Sequence, residues 1–458
     1  MITRYGQRFF LPIIATILIG AAALYLLLIV PGVVSGTIAL LALVALIAWK
    51  PRWGLYAMCL AMPVIGWEFS ILGLYFTLID LVALAMVLGL GVRYVVTRLF
   101  GKRPQVLRLP LAGLFAAFFA SILLSNLFSG DPLPALWYAA RVIVMFYAAY
   151  VVVPASLLDR PKFLRIAVSC VAVSGLIVAG SSVVTLIGQY LDADFFRVRG
   201  VRIFGIYPFG VNHNLVAEYL IMTNFFLLAL RYWFRSPAAR RFLNLSFIIL
   251  TVVALATFSR AAWIATFLQL LAFFVLRKTD KLKLAMSSIA LVLLLMPLAF
   301  KMVQLQENNF SATASRLQLT KIAWQSFLDR PVLGFGTGNF MKLVGDNIRF
   351  TAQYGDPMDS HGILQKVMAE QGTLGLIVFL LIAAAIFRRL FSLYDRSAEF
   401  QELLLPLTVG CLGTFIFQFF NTSYYKGKLW LPIGIALAAA ALMQNPDKKH
   451  LLYVPPKN

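Results

Sequence analysis

The feature that most limits the fold is the recurrence of apolar, nearly uncharged runs as long as a bilayer is thick. They begin at Phe9–Val30 and return up to 429–444. Roughly 20 apolar residues in helical form cross a hydrocarbon core, and a helix satisfies its backbone polar groups internally. The pattern predicts an all-α, polytopic helical membrane protein with about 12–14 transmembrane helices and one large folded loop. The runs are 8–30, 33–49, 53–67, 76–97, 109–128, 134–157, 163–188, 213–231, 241–258, 261–276, 282–300, 373–392, 403–420 and 429–444. The count turns on the shortest, 33–49, 53–67, 261–276 and 429–444. The first run is followed at once by a second, so it reads as a retained helix rather than a cleaved leader. No repeat of fixed period stands out.

A net charge of +22 would suit nucleic acid, but its distribution points elsewhere. Basic residues gather in alternate loops, at Lys50/Arg52, Arg93–Arg108, Arg160–Arg165, Arg231–Arg241, Arg277–Lys283 and Arg388–Arg396. That alternation is the positive-inside bias of membrane proteins, and it places both termini on the cytoplasmic side. Cys59, Cys170 and Cys411 lie apart within apolar runs, so neither a disulfide framework nor a metal spacing is visible. They read as small core residues.

Two connections on the other side are long. The first, 189–212, carries Arg197, Arg199 and Arg202 against the charge bias. Arg197, flanked by Asp192 and Asp194, reads as paired, whereas Arg199 and Arg202 suit a phosphate. The second, from Lys301 to Gly372, is the one long break in the apolar series. Ser315-x-x-Gln318 fits a capping box, followed by an amphipathic helix with Leu319, Ile322, Ala323, Ser326 and Phe327 on one face. That helix should end near Arg330-Pro331, and Gly334-x-Gly336-x-Gly338 should form a turn. Without a preceding strand, those glycines do not read as a dinucleotide loop. A second helix is expected to start at Asp359 or Ser360, with Ile363, Leu364, Val367 and Met368 apolar and Gly372 as its cap.

Several side chains there suit chemistry. His361 would lie in the first turn of that second helix, where the helix dipole keeps an imidazole neutral and Asp359 opposes it. Arg260 stands at a very short turn between two spans, and Arg141 within the sixth span. Such charges face a cavity, a partner or the bundle interior. Glu218 and Asp80 sit one turn inside their spans, where a helix start favours carboxylates, and His213 and Asn214 open the eighth span. The pattern lacks paired catalytic carboxylates, a metal triad or a Ser-His-Asp order. Arginines with one histidine suit stabilising an anionic leaving group while a base deprotonates an acceptor.

Across roughly 200–395 the sequence resembles the O-antigen ligase and O-antigen polymerase superfamily, which shares the Wzy-C type domain. The resemblance rests on four segments in order. They are Gly210-Val211-Asn212-His213-Asn214-Leu215-Val216-Ala217; Thr257-Phe258-Ser259-Arg260-Ala261-Ala262-Trp263; Ser315-Arg316-Leu317 with Trp324 and Pro331 through Phe340; and Asp359-Ser360-His361-Gly362-Ile363-Leu364-Gln365 through Glu370-Gln371-Gly372-Thr373-Leu374-Gly375-Leu376. It implies a metal-independent, inverting glycosyltransferase of the bacterial inner membrane that needs no cofactor. The donor would be a glycan on undecaprenyl pyrophosphate, taken on the periplasmic side. The acceptor would be the lipid A core oligosaccharide for a ligase, or a second lipid-linked glycan for a polymerase. The single folded loop favours ligase in lipopolysaccharide biosynthesis; a transporter would show coupling carboxylates and repeats.

Carried over by motif, the essential histidine is His361 and the arginine of the Ser-Arg pair is Arg260. The arginine before the Asn-x-Asn segment is Arg202 or Arg199, and Arg141 would assist at the pyrophosphate. His213, Asn214 and Glu218 would support the site. The family often has Asn after the histidine, where this chain has Gly362. The organisation expected is 1–188 as N-terminal spans, 189–395 as the ligase-like core with the loop at 301–372, and 396–458 as C-terminal spans and tail.

Overall fold

The computed structural model describes residues 33–71, 74–190, 197–277, 310–393, 400–422 and 426–444. The expected spans at 8–30 and 282–300, and the segment 301–309 of the large loop, lie outside the described residues. In chain order the elements are α1 (Val33–Trp49), α2 (Pro51–Ala61), β1 (Glu68–Ile71), β2 (Leu74–Thr77), α3 (Leu78–Leu99) and α4 (Ala112–Leu127). Next come α5 (Pro132–Leu157), α6 (Pro161–Tyr190), α7 (His213–Leu230), α8 (Pro237–Leu255) and α9 (Arg260–Leu276). The large loop then supplies α10 (Phe310–Asp329), α11 (Phe340–Gly345) and α12 (Ile348–Tyr354). Finally come α13 (Ile363–Phe391), α14 (Leu405–Phe417) and α15 (Gly427–Gln444).

Among the described residues, eight helical stretches are long and apolar enough to cross a membrane: α3, α5, α6, α7, α8, α13, Gln401–Phe420 around α14, and α15. The protein is an all-α, multi-pass membrane protein. The run 53–67 departs from expectation, because it is helical only to Ala61 and then leads into the β1–β2 hairpin. Irregular backbone at such a place needs partners, and the Ile65 and Gly66 amides both donate to the Pro208 carbonyl at 2.9 Å.

Burial sorts the helices into layers. α7 is buried from Val216 to Leu230 and α15 from Gly427 to Ala440, so both are covered on every side and lie at the centre. α3, α8 and α13 instead expose Leu88 and Val92, Ile248 and Val252, and Ile377 and Leu381, an apolar surface suited to lipid. An aromatic nest of Phe115, Phe118, Phe146, Phe379 and Trp430 joins α4, α5, α13 and α15, with the Phe146 and Trp430 rings 4.1 Å apart. Cys59, Cys170 and Cys411 are buried, as expected of core residues.

The large loop folds as a lid with its own small core of Leu319, Ile322, Ala323, Phe340, Val344, Phe350 and Ala369. Two details differ from the sequence reading. α10 begins at Phe310, so Ser315 lies inside the helix, and Ser315-x-x-Gln318 is not its cap. α11 and α12 add two short helices where two in all were expected.

Gly372 does not end the second lid helix; it breaks α13, at φ 62° and ψ −160°, and the helix resumes. The chain Pro331–Gly336 satisfies the groups this break frees. Phe335 and Gly336 amides donate to the carbonyls of Ala369 (3.0 Å) and Glu370 (2.9 Å), and Thr373 donates to the Pro331 carbonyl at 2.8 Å. Ser125 Oγ donates to the Glu370 carbonyl at 2.6 Å, and Asn126 Oδ1 accepts from the Thr337 amide at 2.6 Å. The glycine turn is therefore a structural clasp that fastens the lid to α4 and α13.

Candidate functional site

The site is built where the starts of α7, α9 and α13 meet the lid. At α9, Ser259 caps the helix by accepting from the Ala262 amide at 3.4 Å. Phe258 before it takes the left-handed conformation at φ 56°, the strained residue of a tight corner. Arg260 follows as the first helical residue and donates from Nη2 to Thr313 Oγ1 on α10 at 3.3 Å. At α7, Asn212 is the cap, accepting from the Asn214 amide at 2.9 Å. That frees the His213 side chain from capping, and Asn214 contributes its backbone.

His361 lies two residues ahead of α13, not in its first turn. The helix starts at Ile363 because the polar groups at 359 and 360 hold the preceding turn. Asp359 accepts from Lys366 Nζ with both oxygens at 2.7 Å, and Ser360 Oγ donates to the Gly362 carbonyl at 3.1 Å. His361 is part-buried, and burial first, then the Arg316 guanidinium, pushes its pKa below the usual imidazole range, with Asp359 opposing. Burial and a neighbouring cation, rather than a helix dipole, thus favour the neutral imidazole.

Arg316, in the Ser-Arg-Leu motif, lies half-buried on α10. It acts electrostatically on both His361 and His213, and Arg260 acts on it. Arg197 and Arg199 also act on His213. The aspartates expected to pair with Arg197, Asp192 and Asp194, lie outside the described residues. Arg199 and Arg202 separate. The Arg202 Nε donates to the Gly205 carbonyl at 3.3 Å within its own exposed hairpin, where Ile203 and Ile206 form a bridge.

Arg141 and Glu218 are not brought to this group. Arg141 pairs with Asp80 at 3.2 Å, both side chains 7% exposed, and its guanidinium lies over the Phe76 ring. Asp80 is also half of the capping box with Thr77 and accepts from the Tyr150 hydroxyl at 2.9 Å. Glu218, fully buried, accepts from Gln418 at 2.6 Å, Asn421 at 2.7 Å and the Lys428 ammonium. That knot ties α7 to α14 and α15 beneath the His213 end. Sequence had placed Arg141 at the pyrophosphate and Glu218 in support; the geometry gives both a structural partner instead.

The site thus joins several guanidiniums to a neutral imidazole, and among the described residues no carboxylate pairs with Arg260 or Arg316. Such a group binds an anion and can take a proton from a neighbouring hydroxyl. No curated protein matches the chain. Residues 245–380, which hold Arg260, Arg316, His361 and the clasp, match the family model described as O-antigen ligase. Residues 245–380 are thus similar to the O-antigen ligase family, within a multi-pass membrane protein.

Proposed function

We propose that the protein is a metal-independent, inverting glycosyltransferase of the bacterial inner membrane. Its donor is a glycan on undecaprenyl pyrophosphate, and its acceptor is a sugar hydroxyl of the lipid A core. The observation that carries this reading is Arg260 bound to Thr313 of α10 at one end of the bundle, with Arg316 of the same helix acting on both His361 and His213 and Arg199 acting on His213. The basic helix ends, such as Arg93 and Arg98 on α3 and Arg388 and Arg389 on α13, lie at the other end, which supports a periplasmic site.

In the reaction the acceptor oxygen attacks the anomeric carbon from the face opposite the diphosphate. A new C–O bond forms, and the bond to the phosphate oxygen breaks, its electron pair leaving with undecaprenyl pyrophosphate. His361 takes the hydroxyl proton and returns it to solvent. Arg260 and Arg199 bind the diphosphate and stabilise the charge that develops on it. Arg202 remains the alternative to Arg199 if its hairpin turns inward.

A polymerase joining lipid-linked repeat units uses the same chemistry, and the single large lid favours the ligase. Deletion in the native host followed by glycan analysis separates them. Long lipid-linked chains with an unmodified core indicate the ligase, whereas single repeats on the core indicate the polymerase. An unchanged glycan profile would overturn both.

A further inference from the structure

The lid meets the bundle at a corner whose level in the membrane follows from α13. Below the break at Gly372 that helix runs from Thr373 to the basic residues of its last turn, Arg388 and Arg389. Leu374 stands roughly 21 Å above Arg388 at about 1.5 Å per residue. A hydrocarbon core is about 30 Å thick, so with Arg388 at the headgroups of one side Leu374 is still within the hydrocarbon. Tilt lowers it further, and snorkelling of the arginine stems by a few Å does not lift it out. The Leu374 amide donates to the Val332 carbonyl at 3.3 Å, which holds this lid residue at the same depth. Its side chain is 64% exposed. Exposed apolar side chains continue from Val332 both ways. Below it are Leu374, Ile377 and Leu381, on the lipid-facing side of α13. Above it, Leu328, Trp324 and Leu317 are exposed on one stripe of α10, with the exposed Lys321 at helical spacing among them. The stripe lies opposite the Leu319, Ile322 and Ala323 face that fills the lid core. At its foot the exposed Arg330 donates from Nη1 to the Phe128 carbonyl at 3.1 Å, where α4 ends with Phe128 exposed.

We propose that this corner of the lid is a lipid-docking surface. Val332 and Leu328 rest among the acyl chains of phospholipids in the leaflet on the lid's side. Trp324, Lys321 and Arg330 meet the headgroups. An apolar edge rimmed by an aromatic ring and cations is the composition of a membrane interface, and the cations suit lipid phosphates. Continuity with the lipid-facing side of α13 makes lipid the occupant, rather than a second copy or another protein. The inference goes beyond the glycosyltransferase reading and holds whichever group the site transfers. A lid docked in this way keeps α10, and the turn carrying His361 beside it, at the membrane surface instead of out in water.

The test places nitroxide labels on the purified full chain in vesicles of phosphatidylethanolamine and phosphatidylglycerol. Val332→Cys and Leu328→Cys report the corner, and Asp356→Cys, exposed elsewhere on the lid, reports water. The native cysteines are buried, so each label reads its own position. Power saturation then compares relaxation by oxygen, which concentrates in lipid, with relaxation by a water-soluble nickel chelate. Labels at 332 and 328 should respond more to oxygen than to nickel, and the label at 356 more to nickel. Nickel access at 332 and 328 equal to that at 356 puts the corner in water and overturns the proposal. Shielding from both reagents means that protein covers the corner, a second copy or another chain, and overturns it too. Where a labelled variant does not fold, Trp324 decides. The fluorescence lost in Trp324→Phe should be quenched in vesicles of phospholipids brominated near the headgroup. Trp324 emission that those lipids leave unquenched overturns the proposal.

Discussion

At the scale of single residues, the proposed site depends on keeping an imidazole neutral beside cations. His361 has its pKa pushed below 6.5 by burial and Arg316. The neutral form is the one that accepts a proton, so transfer should be flat above pH 6.5 and fall only as pH drops below it. A limb rising through pH 7 or above would contradict a depressed His361. His361→Ala should lower transfer by about 10²–10⁴-fold, the usual worth of a general base, with insertion and melting temperature unchanged. Arg260→Ala should cost transfer comparably, since its partner Thr313 is exposed and packing around it is slight. Membrane vesicles assayed with a lipid-linked donor check both.

Among elements, the informative ones are the clasp and the buried knot. A Cβ on Gly372 would meet the Val332 carbonyl carbon at 2.5 Å, and one on Gly334 would meet the Glu370 carbonyl carbon at 2.5 Å. Both glycines also have positive φ, at 62° and 68°. Gly372→Ala is therefore strained twice, by conformation and by contact, and should cost more than about 1 kcal/mol. It should lower the melting temperature in detergent and loosen the lid, read as faster proteolysis within 310–362. Unaltered proteolysis would mean that the clasp does not hold the lid. In the knot, Glu218→Gln leaves Lys428 buried without a counter-ion, a loss of about 3–5 kcal/mol. The double variant Glu218→Gln/Lys428→Met should be more stable than Glu218→Gln alone, because it removes the orphaned charge; thermal unfolding of the pair checks this.

For the whole molecule, the arrangement separates charge by side. Arg52, Arg93 and Arg240 bind carbonyls and carboxylates at one end, while His213, Arg260 and the lid gather at the other. The native cysteines are buried, so an introduced thiol reports its own side. Asp356→Cys, exposed on the lid, should react with an impermeant maleimide in intact spheroplasts. Arg98→Cys should react only after permeabilisation. The reverse pattern would invert the proposed topology.

The sequence by itself determined the membrane architecture, because a bilayer crossing is written in a run of adjacent residues. Eleven of the fourteen expected spans correspond to described helices, and eight of these are long and apolar enough to cross; those at 33–49, 109–128 and 261–276 are shorter apolar helices. It also determined the glycine turn and the apolar face of α10, both local in pattern. What only the tertiary structure decided were contacts between residues far apart in the chain. Asp80 and Arg141 each look like isolated intramembrane charges until helix packing brings them to 3.2 Å. Glu218 reads as a helix-start carboxylate until Lys428, 210 residues on, reaches it. Arg316 is one arginine in an amphipathic helix until the clasp at Gly334 and Gly372 seats α10 across the site. The hydrophobic pattern sets which helices form, but a buried charge is settled by its partner, and partners are fixed only when the helices pack.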